Sequence, residues 1–302
     1  MKKAAILAYL LFATSFTPIA ARFVVNEISP LSLAFFRFGT ANLLLIIIFL
    51  IQRHTIKIDK KDITRFIILG LLVLPFNQFF FLKGISLSTA AHSGIMYSLT
   101  PLFAYLISIK IKHEKYSHGK LFSILLSIIG IVIIFYENFI ESEKSTSMEG
   151  DILLILAVTT WAFYLTLSKD MVAKYGAVKT STIAFTIGSI LYIPILIYDL
   201  PNFTLDKLST YGILSFIHLT FLVAFGSYFV FTWSSKYISV SSLTTSMNSS
   251  PLITIVFSWI LLNEKLSYFF IIGTVITLFG VFWAQRYNDI KINKSAELSS
   301  IE

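Results

Sequence analysis

Long apolar runs separated by short charged segments recur along the whole 302-residue chain. A helix needs about 20 mainly apolar residues to cross the hydrocarbon core of a bilayer, and these runs reach that length. The sequence predicts ten such helices, near residues 4–21, 31–51, 63–82, 87–109, 119–136, 152–168, 181–198, 211–233, 240–262 and 268–284. About a hundred residues then remain for loops and tails, too few for a soluble catalytic domain. We therefore expect an all-α integral membrane protein.

The composition excludes several kinds of functional site. Charged residues make up 13% of the chain, against about 25% in an average soluble domain. The sequence has no cysteine, which excludes a disulfide framework, a zinc–thiolate site and a thiol nucleophile. It has no nucleotide-binding motif, no metal-ligand motif such as His-Glu-x-x-His and no paired carboxylates inside a predicted helix. We expect no cofactor, no bound metal and no catalytic residue, and ATP is not expected as an energy source within this chain.

The basic residues are distributed unequally between the two sides of the predicted bundle. Of the 24 Lys and Arg, 18 fall on the side that holds both termini, five on the opposite side, and Arg37 inside a helix. Cytoplasmic loops of membrane proteins carry the excess of Lys and Arg, so both termini are predicted to be cytoplasmic, in the cytoplasmic (inner) membrane. The net charge of +8 is then a topology signal, and nucleic acid is not expected as a partner.

The two halves of the chain match at an offset of 150 residues. Seven pairs are identical: Pro101/Pro251, Leu102/Leu252, Ser108/Ser258, Glu114/Glu264, Lys115/Lys265, Ser117/Ser267 and Gly130/Gly280. Each half has five predicted helices, an odd number, so the second copy enters the membrane in the opposite direction. The pattern predicts two inverted five-helix repeats, 1–136 and 152–286, joined by an acidic external linker, 137–151, and followed by a cytoplasmic tail, 287–302.

Inverted repeats are a recurrent architecture of secondary transporters, in which the solute binds between the halves near the bilayer midplane. Rocking one half against the other would open the site to each side in turn. The repeat therefore favours alternating-access transport of a small organic solute.

The repeated segments also resemble a known family. Ser98-Leu-Thr-Pro-Leu-Phe-Ala followed by Glu114 is similar to the signature of EamA-type transporters, in the drug/metabolite transporter superfamily. Ser249-Ser-Pro-Leu-Ile through Leu262-Asn-Glu264 resembles its second copy, and Ser29-Pro with Phe35-Phe-Arg37-Phe resembles the family's second helix. At 113–115 the chain has His-Glu-Lys where the family more often has an apolar residue, Gly and Glu.

The resemblance implies ten helices in two inverted halves, with helices 1–4 and 6–9 around a central cavity and helices 5 and 10 at the periphery. It implies an amino acid, metabolite or drug-like compound as solute, moved by an exporter or exchanger. The expected partners are that solute, a proton or counter-solute, and membrane lipid, and no oligomer is required. The alternative on the same scaffold is a lipid flippase or scramblase.

Strongly polar side chains inside membrane helices are costly and are candidate functional groups. Those nearest the outer surface, at depths of about 7–11 Å, are Arg37, Asn77, Gln78, His92 and His218. They predict a polar binding layer. Arg37 could instead hold helix ends or the two halves together. Each histidine could be a packed residue or a titrating group, since the ordinary pKa of histidine lies near physiological pH.

A Ser/Thr-rich stretch marks the predicted ninth helix. Nine of the twelve residues from Ser239 to Ser250 are Ser, Thr or Asn, and Ser242 and Ser246 share one helical face. Such a face suits a wet cavity or close helix packing. At the offset of 150, Ser242 corresponds to His92 and Ser246 to Met96, so all four are predicted to line the same cavity.

Two further pairs complete the predicted site. Trp161 and Tyr164 lie near the middle of the predicted sixth helix, where they could form an apolar wall or contact a cationic group. Pro101 and Pro251 fall inside predicted helices, where proline removes a backbone hydrogen bond. As a repeated pair they are the predicted hinge, although a fixed kink fits the pattern equally.

Overall fold

The computed structural model of the chain describes residues 2–53, 55, 57–111, 116–140, 147–204, 208–227, 230 and 249–299. In these ranges the regular structure is helical, with no β-strand. Seven of the described helices are long and apolar enough to cross a membrane: Lys3–Val24, Pro30–Ile51, Lys60–Leu87, His118–Tyr136, Met148–Tyr175, Ala177–Asn202 and Thr210–Ser227. Two shorter apolar helices cover Ser250–Leu262 and Tyr268–Ala284. The prediction of an all-helical, multi-pass membrane protein is confirmed.

Among the described residues up to 140, there are eight α-helices. They are α1 (Lys2–Ser15), α2 (Thr17–Val24), α3 (Pro30–Ile51), α4 (Ile63–Leu71), α5 (Asn77–Leu87), α6 (Ala90–Ser98), α7 (Thr100–Lys110) and α8 (His118–Ile140). The first and fourth predicted helices are each broken, at Phe16 and at Leu99. In each case a proline, Pro18 or Pro101, lies in the first turn of the segment that follows. Proline is well tolerated there because the N–H that it lacks would have no helical partner.

From residue 147 onward, the part of the chain that the structure describes contains five α-helices: α9 (Met148–Tyr175), α10 (Ala177–Asp199), α11 (Thr210–Ile217), α12 (Ser250–Leu262) and α13 (Tyr268–Ser299). The Ser147 side chain accepts a hydrogen bond from the Gly150 N–H and caps the start of α9. Gly176, at a φ of 80°, ends α9 and allows α10 to begin at the next residue. Pro251 lies in the first turn of α12.

In the described part of the chain, two π-helical segments interrupt the regular helices. The first covers Leu72–Phe76, between α4 and α5, and the second covers His218–Ser227, after α11. At the offset of 150 the first corresponds to residues 222–226, inside the second. Pro75 lies within the first segment and cannot continue the backbone hydrogen-bond ladder. Segments of this kind are frequent at functional sites.

Helices α8 and α13 pack closely through small residues. The apolar side chains of Phe122, Leu125 and Ile129 are exposed on one face of α8, while small residues on its other face meet α13. A helix with an apolar outer face and small or polar residues on its inner face is typical of a helix that contacts lipid on one side and another helix on the other.

The contacts of this pair are reciprocal at the offset of 150. The Ser127 hydroxyl donates to the Thr277 carbonyl oxygen at 3.2 Å, and the Thr277 hydroxyl donates to the Ser127 carbonyl oxygen at 3.4 Å. Residue i therefore contacts residue j in the same way that j contacts i, as expected at a two-fold axis.

Candidate functional site

Three polar side chains singled out from the sequence form one buried hydrogen-bonded chain. Arg37 Nη1 donates to Gln78 Oε1 at 3.2 Å, and Gln78 Nε2 donates to Asn77 Oδ1 at 2.7 Å. The three residues are 4%, 5% and 2% exposed, respectively. Helix α3 supplies the arginine and α5 the two amides. We call these three residues the central network.

The central network is anchored on backbone carbonyls from the second part of the chain. Arg37 Nε donates to the Leu219 carbonyl oxygen at 3.0 Å, and Asn77 Nδ2 donates to the Ala157 carbonyl oxygen at 2.8 Å. Leu219 belongs to the second π-helical segment and Ala157 to α9. The hydroxyl of Tyr97, in α6, lies 3.5 Å from Asn77 Nδ2. The network thus joins helices of both predicted halves.

The guanidinium of Arg37 is a buried charge whose observed hydrogen-bond partners are neutral. They are the Gln78 amide oxygen and the Leu219 carbonyl oxygen, and the guanidinium carbon lies 5.3 Å from the ring centroid of Phe38. A buried charge is costly unless it is paired and hydrogen-bonded. The geometry shows Arg37 holding α3 to the second π-helical segment, whereas its contact with a solute stays a prediction.

His92 lies apart from the central network, in a second buried polar group. Its Nδ1 is 3.0 Å from Asp151 Oδ1 and 3.1 Å from Asp151 Oδ2. The Ser88 hydroxyl donates to Asp151 Oδ1 at 2.5 Å, and the imidazole stacks on Phe270 with ring centroids 4.8 Å apart. His92 is 3% exposed and Asp151 is 0% exposed.

Asp151 is the residue that sequence reasoning missed. The sequence placed it at the end of a polar linker because Glu149 and other charged residues precede it. In the structure α9 begins at Met148, so Asp151 belongs to its first turn and is buried. The available signal was Ser147, since serine is a preferred N-cap and acidic residues favour the first turn that follows.

We call the end of the bundle that holds Asp151, Asp199 and Glu264 the acidic end. The Asp199 carboxylate accepts from both the N–H and the hydroxyl of Ser32, at 2.9 and 2.7 Å. The Glu264 carboxylate accepts from the Ala90 and Ala91 N–H groups that begin α6, at 2.8 and 3.0 Å.

A fourth carboxylate at this end, that of Glu27, accepts from the N–H and the hydroxyl of Ser209, at 2.8 and 2.6 Å. Each of these contacts joins one predicted half to the other at the acidic end.

At the opposite end, which we call the lysine end, described residues of the two predicted halves are also in contact. Lys174 pairs with Asp59 and Asp62. The Tyr175 hydroxyl donates to Asp62 Oδ2 at 2.7 Å, and Lys179 Nζ donates to the Lys57 carbonyl oxygen at 2.6 Å.

The other predicted binding residues have these positions. Met96 is 0% exposed in the apolar core, one turn beyond His92 in α6. His218 Nε2 lies 3.2 Å from the Ala13 carbonyl oxygen, at the start of the second π-helical segment. Trp161 and Tyr164 stack with ring centroids 5.3 Å apart. The structure therefore brings together Arg37, Asn77 and Gln78, whereas, among the described residues, His92 contacts Asp151 and His218 contacts Ala13.

The remaining predicted site residues give a mixed outcome. Pro101 and Pro251 occupy equivalent places, each in the first turn of a described helix, α7 or α12. The sequence placed both inside predicted helices, and the structure places Pro101 at the start of α7, directly after the break at Leu99. The role of these two prolines as a hinge stays a prediction. Ser242, Ser246 and Glu114 lie outside the described residues. Among the residues described, no three His, Asp or Glu side chains are grouped as metal ligands.

Comparison with known proteins identifies relatives over almost the whole chain. A family model described as the EamA-like transporter family matches residues 2–136 and 148–285. An uncharacterized transporter of Archaeoglobus fulgidus is 28% identical over 277 residues, covering 91% of this chain and 94% of the relative. The uncharacterized transporter YyaM of Bacillus subtilis is 24% identical over 286 residues, covering 93% and 92%.

The fold has also been seen in a solved structure. One crystal structure aligns with a TM-score of 0.61 at 16% identity, covering 93% of this chain and 95% of the other. At this identity the likeness shows a shared fold alone.

Proposed function

Because this chain belongs to the EamA-like transporter family, we propose that it is a secondary transporter that moves a small organic solute by alternating access. Membership makes it a transporter of the EamA type within the drug/metabolite transporter superfamily, and its relatives are named as transporters. The solute is an amino acid, a metabolite or a drug-like compound, moved by export or exchange. The energy comes from a proton or a counter-solute.

The proposal includes ten membrane helices in two inverted halves, 1–136 and 152–286. Two observations support it. The family model matches two segments with borders close to these. The reciprocal hydrogen bonds between Ser127 and Thr277 link residues 150 positions apart, and reciprocity of this kind is expected when a pseudo-two-fold axis relates the halves.

The observation that carries the proposal is the central network. It is buried, it contains a membrane-embedded arginine, and it ends on Leu219 and Ala157 in the second half. Secondary transporters of inverted-repeat architecture bind their solutes between the halves. We assign Arg37, Asn77 and Gln78 to the binding layer, with Trp161, Tyr164 and His218 at its edges. Met96, Ser242 and Ser246 are assigned to the cavity wall.

The orientation follows from the distribution of basic residues. The termini, the lysine end and the tail, 287–302, face the cytoplasm, and the acidic end and the linker between α8 and α9 face outward in the cytoplasmic membrane. Membrane lipid surrounds the protein, and the proposed transport requires no oligomer. The flippase or scramblase alternative gains no support from relatives that are named as transporters.

Counterflow tests the proposal. The purified protein is reconstituted in liposomes preloaded with one unlabelled solute from a panel of amino acids and metabolites, and uptake of the same radiolabelled solute is followed. Transient accumulation above equilibrium with at least one solute is expected. The Arg37→Gln variant should show at least tenfold less accumulation. The Arg65→Gln variant, which changes an exposed arginine at the lysine end, should accumulate the solute as the parent does.

Two results would count against the proposal. Counterflow with no member of a broad panel contradicts secondary transport of such solutes. Equal counterflow by the Arg37→Gln and Arg65→Gln variants removes the central network from the binding layer.

A further inference from the structure

The guanidinium of Arg37 carries a positive charge that its observed contacts do not balance. It belongs to the apolar helix α3 and is 4% exposed. Its Nε donates to the Leu219 carbonyl oxygen and its Nη1 donates to Gln78 Oε1, and both acceptors are neutral. Arginine is not deprotonated in proteins, so this charge stays. A buried charge is costly unless an opposite charge pairs with it.

The acidic residues in the described part of the chain do not supply that opposite charge. None of their carboxylates is hydrogen-bonded to Arg37. The carboxylates of the acidic end and of the lysine end have the partners given above. Residues 228–248, which lie outside the described part apart from Val230, contain no Asp or Glu. An anion from outside the protein is therefore the expected source of the counter-charge.

The central network orients the guanidinium and leaves part of it available. The Ala157 carbonyl oxygen can only accept, so Asn77 presents Nδ2 to it and Oδ1 to Gln78. Gln78 then presents Oε1 to Arg37. Both amide oxygens are thereby used. The Nη2 group of Arg37, which has two N–H donors, donates to no described residue.

A second buried polar group in the same region also lacks a partner. Thr220 follows Leu219 in the second π-helical segment, which packs against α3. Its hydroxyl is 0% exposed and has no hydrogen-bond partner in the described part of the chain. Buried polar groups in proteins are nearly always hydrogen-bonded. The unused donors of Arg37 and Thr220 together indicate a place for a ligand that accepts hydrogen bonds.

We propose that Arg37 binds the carboxylate of the solute, so that the substrates are organic compounds with a free carboxylate group. This inference rests on the proposed transport function and adds the substrate class. The planar guanidinium can form two parallel hydrogen bonds to a carboxylate. One carboxylate also balances the charge of one guanidinium, so the occupied site is neutral as a pair.

The charge of the site favours a carboxylate over a phosphate ester. A phosphate monoester carries about 1.5 to 2 negative charges near pH 7, which is more than a single guanidinium balances. The other observed partners of Arg37 present carbonyl oxygens, which would not stabilise the excess negative charge. A solute without a negative charge would leave the guanidinium unbalanced.

The test compares solutes that differ only at the carboxylate. The counterflow panel contains carboxylates, each beside its own carboxamide, such as leucine with leucinamide and nicotinate with nicotinamide. Glycerol 3-phosphate represents the phosphate esters. Proteoliposomes have the same pH of 7 on both sides. We expect counterflow with at least one carboxylate and at least tenfold less with its carboxamide and with the phosphate ester, because the charge-assisted hydrogen bonds are lost or mismatched.

The selectivity of variants separates solute binding from a purely structural role of Arg37. A structural defect lowers the transport of both members of a pair alike. Loss of the carboxylate partner instead removes the preference, so Arg37→Gln should bring the two rates to within about twofold of each other. Arg37→Lys keeps the charge but not the parallel hydrogen bonds, and should keep the preference at lower affinity. Arg65→Gln, at an exposed arginine, should keep the parent's preference and affinity.

Folding of each variant is checked by size-exclusion chromatography, and Arg37→Met replaces Arg37→Gln if that variant does not fold. Two outcomes would overturn the inference: equal counterflow of a carboxylate and its carboxamide in the parent, or an unchanged preference in the neutral variant. Counterflow confined to solutes without a carboxylate would overturn it as well, and would leave the proposed transport function standing. Counterflow with no solute of the panel contradicts the proposed function itself, so the two failures are distinguishable.

Discussion

Replacing Gly130 by alanine tests the close packing of α8 against α13. A Cβ at this position would lie 2.3 Å from Thr277 Oγ1, 2.6 Å from the Gly273 carbonyl oxygen and 2.7 Å from the Thr277 nitrogen. All three distances are shorter than 3.0 Å, and real Cβ atoms essentially never make contacts that short. Two of these atoms belong to the backbone and cannot rotate away, so the two helices must move apart.

The expected loss follows from two opposing effects. Alanine is favoured over glycine in a helix by about 1 kcal/mol. Overpacking a tight contact costs about 1–3 kcal/mol, and contacts with backbone place Gly130→Ala at the upper end of that range. The net loss is about 2 kcal/mol, a factor of roughly 30 in the folding equilibrium.

The equivalent substitution at Gly280 should cost about the same, because its Cβ would lie 2.4 Å from Ser127 Oγ and 2.7 Å from the Ser123 carbonyl oxygen. The double variant should lose less than the sum, since one separation of the helices relieves both overlaps.

Stability is measured by titrating the purified protein in mild detergent with sodium dodecyl sulfate and following circular dichroism. Gly39→Ala in α3 is the matched control, because its Cβ would approach no atom closer than 3.7 Å, the Phe35 ring. That variant should be unchanged or more stable by up to about 1 kcal/mol. The reasoning would be refuted if the Gly130→Ala variant were as stable as the Gly39→Ala variant. It would also be refuted if the stability losses of the two single variants at Gly130 and Gly280 added in full in the double variant.

The other expectations concern the acidic end and one surface pair, and each is checked by the same titration. Asp199→Ala leaves the N–H and hydroxyl of Ser32 without their acceptor and should cost about 3 kcal/mol, whereas Asp199→Asn should cost less. Glu264→Ala removes the acceptor from the first two N–H groups of α6 and should cost about 1–2 kcal/mol. Arg65→Met breaks an exposed pair with Asp170 at 3.8 Å and should change stability by less than about 1 kcal/mol.

The sequence predicted the helices well because a bilayer imposes one length and one composition on them. Most of the predicted runs correspond to described helices that extend past them, as with Met148–Tyr175 against the predicted 152–168. The runs 211–233 and 240–262 are described only in part. The extensions contain polar residues such as Lys174 and Tyr175. A hydropathy pattern leaves such residues out of a predicted membrane helix, although they lie at the ends of the helices in the structure.

The two π-helical segments were beyond prediction. In the first segment, Pro75 indicated an irregularity. In the second segment, the backbone conformation presents the Leu219 carbonyl oxygen to Arg37, but no residue type in the segment requires that conformation. The grouping of Arg37, Asn77 and Gln78 was approximated from their similar depth, whereas the pairing of His92 with Asp151 required knowing which helices are neighbours.

Sidedness of two equivalent positions tests the inverted architecture most directly. His118 and Tyr268 are related by the offset of 150, and each begins a helix, α8 and α13, with its side chain exposed. Single cysteines at these sites are labelled with an impermeant maleimide in intact cells, before and after permeabilisation. Two inverted halves predict that Tyr268→Cys is labelled in intact cells and that His118→Cys is labelled only after permeabilisation. Labelling of both from the same side would contradict the account.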